Sequence, residues 1–246
     1  MAKSRPRRGS PLHLTPSFGL FGKSKEIIFK NIWIFGPLYI LPAVFLIHAW
    51  IWTPAKPDAP HHWWQSIDSL GPGASASPVP LFSGYALLGF SLLWGLIVLV
   101  GGAIVQIMTQ AAQLEGAEGK AVTFDSIWKT TKKLGWRMVG LYIALVVTLL
   151  VGFLLLIIPF FIFLRRYFLS PYVLLDKNVG IREAMSRSAA MSKPHSGSVW
   201  GVIGVIFLIG LAGVIPFIGW LISFVLGFLY SVAPALRYQE LKKLSS

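Results

Sequence analysis

The sequence predicts an all-α integral membrane protein: six transmembrane helices in three hairpin-like units, with amphipathic interfacial helices between them. Three observations predict it. Of 246 residues, 55% are hydrophobic and 13% charged, where a soluble domain carries about 25% charged residues. A chain this short lacks the interior volume to hide so much apolar surface from water. The apolar residues also gather into four long blocks, and the basic residues gather between them.

Crossing about 30 Å of hydrocarbon takes roughly 20 apolar residues at 1.5 Å each. The block Asn31–Ala55 holds the first span, about 33–52, and Leu81–Leu114 the second, about 84–108, whose last turns leave the bilayer. Met138–Leu175 and Val199–Leu236 are 38 residues each. A helix of that length would run about 57 Å, nearly twice what one crossing requires. Each carries a turn signal near its middle, Ile158-Pro159-Phe160 and Ile215-Pro216-Phe217-Ile218-Gly219. Proline removes a backbone donor and disfavours helix in the residue before it. Each block therefore reads as two spans, 138–158 with 160–175 and 199–215 with 219–236. A proline kink in one long tilted helix is the alternative.

The charges favour six spans. Seven Lys or Arg precede Trp33, one lies in the outer loop 53–83, five in 111–137, four in 176–198 and three after Leu236. Six crossings put nineteen of these on one side and one on the other. The positive-inside rule then places both termini in the cytoplasm. The net charge of +13 follows from this topology and requires no nucleic acid, although basic connectors are drawn to anionic headgroups. Residues 1–22 read as a basic disordered tail and 237–246 as a second basic cytoplasmic tail. Lys3, Arg5, Arg7 and Arg8 could pass for the start of a signal peptide. The apolar stretch behind them is too long, and Trp50-Ile51-Trp52-Thr53-Pro54 is no cleavage site, so the first span reads as a retained anchor. With no cysteine in the chain, disulfides, thiol catalysis and thiolate metal sites are excluded.

The last two blocks look like copies of one unit. Each follows a basic, helix-compatible connector. Phe124, Ile127 and Trp128 share a face of one connector, with Lys129, Lys132 and Lys133 elsewhere; Ile181, Ala184, Met185 and Ser188 share a face of the other. Each unit then runs span, Ile-Pro-Phe, second span and a late proline, Pro171 or Pro234, and the N-terminal third reads as a diverged third copy. Joined to spans at both ends, the connectors are expected to lie in the headgroup layer, apolar face inward; ordinary soluble connectors are the alternative.

The stretch Ile158-Pro-Phe-Phe-Ile-Phe-Leu-Arg-Arg-Tyr-Phe-Leu-Ser-Pro-Tyr-Val-Leu-Leu-Asp176, followed by Gly180-Ile-Arg-Glu-Ala-Met-Ser-Arg-Ser188, resembles two related groups. One is the bacterial YciC-type six-span inner-membrane family. The other is the membrane region attached to some glycerophosphodiester phosphodiesterases. The resemblance covers about Ser126–Leu236 and implies a polytopic bacterial inner-membrane protein. The phosphodiesterase's catalytic domain is a separate soluble barrel that this chain does not encode, so the activity is not carried over.

Arg165 and Arg166 lie six and seven residues beyond Pro159, inside the predicted fourth span. An intramembrane ionisable residue needs a partner, and no acidic residue falls in any predicted span. A phosphate or carboxylate of a lipid or solute suits the guanidinium fork; the alternative is that both side chains snorkel to the outer headgroups. Gln106, Thr109, Gln110 and Gln113 form a polar intramembrane stripe on the second span, read as interhelical packing over a polar pathway. Gly197, Gly201 and Gly204 share a face of the fifth span and read as a helix-packing feature. His61-His62-Trp63-Trp64 in the outer loop is a poor metal site, its tryptophans reading as interface anchors, and His48 reads as hydrogen-bonded or interfacial. No metal, cofactor or catalytic residue is expected, since no nucleotide, zinc or nucleophile motif is present. The sequence thus points to a non-enzymatic protein that engages anionic lipids or membrane partners. A small transporter for an anionic or amphiphilic solute is the alternative; internal repeats favour it, and the lack of intramembrane carboxylates counts against it.

Overall fold

The computed structural model describes residues 14–52, 81–215 and 218–245, with side chains apart from those at 43, 45–94 and 97. Among the described residues there is helix and no strand. In chain order the helices are α1 (Leu20–Lys30), α2 (Ile32–Trp52), α3 (Leu81–Ala117), α4 (Phe124–Leu155), α5 (Ile157–Tyr167), α6 (Ser170–Lys177), α7 (Ile181–Ser192), α8 (Ser196–Ala212), α9 (Gly219–Tyr230) and α10 (Ala233–Ser245). Three stretches among the described residues are long and apolar enough to cross a membrane: Phe124–Leu155, Ile157–Lys177 and Gly219–Ser245. The pair α7 and α8 adds a fourth if it counts as one span, although the two are bent by 104°. The described residues are therefore all-helical apart from their connecting turns, with three, or up to four, candidate spans among them.

Two compact units divide the chain, Met1–Pro37 with Gln106–Ser246, and Leu38–Val105. In the smaller unit Ile40, Val44, Leu96 and Leu99 are exposed. The expected outer-loop residues up to 80, including His61-His62-Trp63-Trp64, lie outside the described residues; so do the side chain of His48 and Pro216-Phe217 of the second turn signal.

In the larger unit α4 and α5 fold back on each other through a single extended residue, Leu156 (φ −179°, ψ 154°). Gly152 makes the close approach possible, since a Cβ there would come 2.8 Å from Phe163 and 3.1 Å from the Phe160 backbone. Phe153 and Phe160 meet edge to face, ring centroids 6.1 Å apart. The reversal thus falls three residues before Pro159. Pro159 occupies the first turn of α5, where a missing N–H leaves no intrahelical bond unmade, so the proline starts the second helix rather than ending the first. Helices α8 and α9 run alongside each other in the same way: Ile209 faces the Gly227 position at 3.8 Å, and Ser223 faces that of Gly213 at 3.5 Å.

Both helix pairs are apolar on the outside. Ile143, Val146, Leu150, Leu154 and Ile158 are exposed on the first, and Phe207, Leu211, Val214, Trp220 and Leu221 on the second. The buried core lies at the other end of the unit, where α1, α6, α7, α10 and the end of α3 gather. Ser170 to Leu175 of α6 are all buried, and Leu20, Val202, Val205, Tyr230 and Ala233 pack as one cluster. Contiguous exposed apolar surface on this scale, on helices long enough to span, suits a membrane environment.

The segment read as a C-terminal tail is helical through Ser245 in α10, which buries Arg237, Tyr238 and Leu241; of the residues read as an N-terminal tail, 1–13 lie outside the described residues. At the other terminus, residues 14–22 are ordered against α10. Arg237, 1% exposed, donates through Nη1 to Glu240 at 2.7 Å and through Nη2 to the Thr15 carbonyl at 2.7 Å. The Thr15 hydroxyl donates to Glu240 at 2.5 Å, Tyr230 to the Ser17 carbonyl at 2.9 Å, and the Val232 amide to Ser24 Oγ at 3.2 Å. A buried guanidinium is stable only when its donors find acceptors, and this N-terminal segment supplies one of them.

The connectors differ from each other and from expectation. The first is not a separate helix but the opening turns of α4, capped by the Thr123 hydroxyl, which accepts from the Ser126 amide at 3.3 Å. Its apolar residues also divide: Ile127 is buried within the protein, whereas Phe124 and Trp128 are exposed. In α7 the expected lipid-facing side packs on protein. Ala184, Ser188 and Ser192 are buried, and a Cβ at Gly140 would meet Ile181 at 2.8 Å.

Candidate functional site

Arg165 and Arg166 occupy the last turn of α5, which ends at Tyr167. The Ser188 hydroxyl of α7 donates to the Arg166 carbonyl at 2.8 Å. The pair thus sits at the α7 end of α5, about 14–15 Å along the helix from the Leu156 reversal, and away from the turn toward which the snorkelling alternative directs it. Arg166 is exposed and Arg165 half-buried. The Arg165 Nε is buried without a hydrogen-bond partner among the described residues.

Six of the described acids are engaged elsewhere, and none pairs with Arg165 or Arg166. Asp176 accepts from Tyr238 at 2.6 Å and from Lys242 at 2.9 Å, and Glu118 accepts from Gln239 at 3.0 Å. Glu115 accepts from Ser126 at 2.5 Å. Asp125 pairs with Lys129, Glu183 with Arg187 and Glu240 with Arg237. Outside the spans, the Glu118 carboxylate also bonds Lys120 and holds its ammonium above the ordinary lysine range. What remains at the end of α5 is two cations with no carboxylate beside them among the described residues. Such an arrangement can bind an anion.

The polar stripe of α3 divides. Gln106 is exposed, whereas Thr109, Gln110 and Gln113 are buried. Two of the amides accept hydroxyls from other helices: Tyr142 of α4 donates to Gln110 at 2.6 Å, and Tyr172 of α6 donates to Gln113 at 2.7 Å. Tyr172 in turn stacks on Tyr238 of α10, centroids 6.3 Å apart. The stripe thus joins α3 to α4, α6 and α10. Of the glycines on α8, Gly201 closes on the Ser17 side chain, while a Cβ at Gly197 or Gly204 would meet nothing within 4 Å. The close approach is therefore made at one position, and by the N-terminal segment rather than by a neighbouring span. No cluster of three His, Asp or Glu suited to a metal occurs among the described residues.

Comparison with known proteins adds no family. No protein-family model matches the chain, and no curated protein or solved structure matches it.

Sequence reasoning missed the polar network of Asp176, Tyr238, Lys242 and Glu118, and the Thr15–Arg237–Glu240 group. One signal was available: in 233–245, Arg237 and Glu240 are three apart, and Tyr238 and Leu241 recur at helical spacing, which is the pattern of a packed amphipathic helix. A cavity of about 150 Å³ between α4 and α5, lined by Leu145, Leu149, Phe163, Leu164, Tyr167 and Phe168, is apolar. At 100° per residue, Arg165 falls on the far side of α5 from Phe163, Leu164 and Tyr167, and Arg166 at the edge of their face.

Proposed function

We propose that this is a non-enzymatic, six-span protein of the bacterial inner membrane that binds anionic phospholipid, with Arg165 and Arg166 as the headgroup site. The observation that carries this reading is the pair of guanidiniums at the end of α5 with no neighbouring carboxylate among the described residues, on a chain whose helices expose apolar residues along their length. A phosphodiester supplies the missing negative charge and oxygen acceptors for both arginine forks. The remaining crossings come from α2, α3 and the division of the last two blocks, and nineteen basic residues then lie on the cytoplasmic side with both termini. The resemblance to the YciC-type proteins agrees with this placement. Membrane proteins that bind the same lipid-coated surface are its natural partners.

Native mass spectrometry in mild detergent tests the reading. Wild-type protein is expected to retain phosphatidylglycerol, and Arg165→Gln/Arg166→Gln to retain roughly tenfold less, as expected when charge-assisted contacts of about 1.5 kcal/mol are lost. Equal retention by both proteins would rule out the pair as the headgroup site.

A further inference from the structure

One face of α4 stays exposed along almost its whole length. Ile143, Val146, Val147, Leu150 and Leu154 form its apolar part. At 100° per residue, Phe124, Trp128, Lys132 and Trp136 continue the same face below Met138. Here the surface changes character without a break. Phe124 stacks on Trp128, centroids 6.3 Å apart, and the Lys132 ammonium lies 5.1 Å from the centroid of the Trp128 ring. A second arrangement of the same kind stands where α1 passes into α2. The Lys25 ammonium lies 5.8 Å from the Phe29 ring, and Trp33 follows one turn later. Trp33 and Trp136, 90% and 88% exposed, are the two most exposed large apolar side chains among those described.

We propose that these two lysine–aromatic ladders are binding sites for anionic phospholipid at the cytoplasmic interface, separate from the arginine pair. Tryptophan belongs at the boundary of hydrocarbon and headgroups because its ring is apolar and its N–H polar. Trp136 lies about 3 Å along α4 from Met138, where the apolar run begins, and Lys132 about 9 Å. The headgroup layer extends about 5–7 Å beyond the hydrocarbon on each side; the ammonium of Lys132, seated over Trp128 in the free protein, reaches a lipid phosphate by swinging its flexible stem toward the bilayer. Asp125 pairs with Lys129, which leaves Lys132 and Lys133 as the cations of the α4 ladder.

Two features favour lipid over a protein in these places. The α4 ladder continues an unbroken exposed apolar face of a helix long enough to cross a membrane, and an equivalent ladder stands at the start of another apolar helix. A second copy of the chain would bring few free carboxylates, since six of the acidic residues are already engaged.

The inference rests on the bilayer placement proposed above but not on Arg165 and Arg166, and one experiment separates them. Phosphatidylglycerol retention is measured by native mass spectrometry for wild type, Lys25→Gln/Lys132→Gln/Lys133→Gln and Arg165→Gln/Arg166→Gln. Quenching of tryptophan emission by brominated phosphatidylglycerol is compared in wild type, Trp33→Leu and Trp136→Leu. All five substituted positions of the ladders are exposed, so the fold is retained, and circular dichroism checks this. Each lysine removed is expected to weaken retention roughly fivefold, while either tryptophan variant loses a quenched component. Retention by the lysine variant equal to wild type overturns the ladders; if the arginine variant still loses lipid, the proposed function stands. Loss of lipid from the lysine variant alone supports the ladders and removes the arginine site. Unchanged lipid together with loss of a co-purifying protein makes the ladders a protein-docking surface and overturns the proposal.

Discussion

Val146→Asp is expected to cost about 2.5–3.5 kcal/mol and to deplete the protein from the membrane fraction, because an aspartate at the centre of a span has no water to solvate it. Val146 sits midway along the apolar run of α4 and is 64% exposed. The same exposure makes the test sharp. On a water-covered surface an exposed Val to Asp change lies within about 0.5 kcal/mol of neutral. Equilibrium unfolding in detergent, together with the amount recovered in membranes, reads the difference. A variant as stable and as abundant as wild type would mean that water, not lipid, covers this face.

Arg237→Ala is expected to destabilise the protein by about 3–5 kcal/mol, the range for removing one partner of a buried ion pair. The guanidinium bonds both the C-terminal helix, through Glu240, and the N-terminal segment, through the Thr15 carbonyl. Its loss leaves both acceptors to find water in a packed interior. Arg237→Met restores apolar volume and is expected to cost less than alanine, because the cavity is smaller. Adding Glu240→Gln to Arg237→Ala should cost less than the sum of the two single changes, since both act on one network. Unfolding monitored by circular dichroism checks this, and a loss below about 1 kcal/mol for the alanine variant would contradict the clasp.

Helix class and membrane character were legible because both follow from composition and block length, which folding does not rearrange. Pro159 shows the limit of local rules. A proline in an apolar run marks a helix boundary, but the rules for the helix interior and for the first turn allow it on either side of that boundary. Only the fit of Gly152 against Phe160 and Phe163 places the reversal at Leu156. The amphipathic connectors show another limit. Periodicity says that Ala184 and Ser188 share a face, yet lipid and protein reward the same pattern, and here α5 and its neighbours cover it. The C-terminal segment reads as a tail in the sequence because its charges outweigh its apolar residues, whereas the structure continues it as a packed helix. Arg237 is buried by partners 222 residues away in sequence, which no local window contains. Arg165 and Arg166 stand out in the sequence because a charge interrupts an apolar run, but their level at the α7 end depends on Ser188.

The absence of cysteine allows the central claim of six crossings to be tested directly, by labelling single cysteines with a membrane-impermeant maleimide. Substitutions at Ser10, Ser77, Ala121, Ser186 and Ser245 sample both termini and three connectors. Six spans predict that Ser77→Cys alone is labelled from outside, and that the other four react only once the membrane is opened. Labelling of Ser186→Cys from outside would show that the third block crosses once, which would split the basic residues between the two sides and contradict the account.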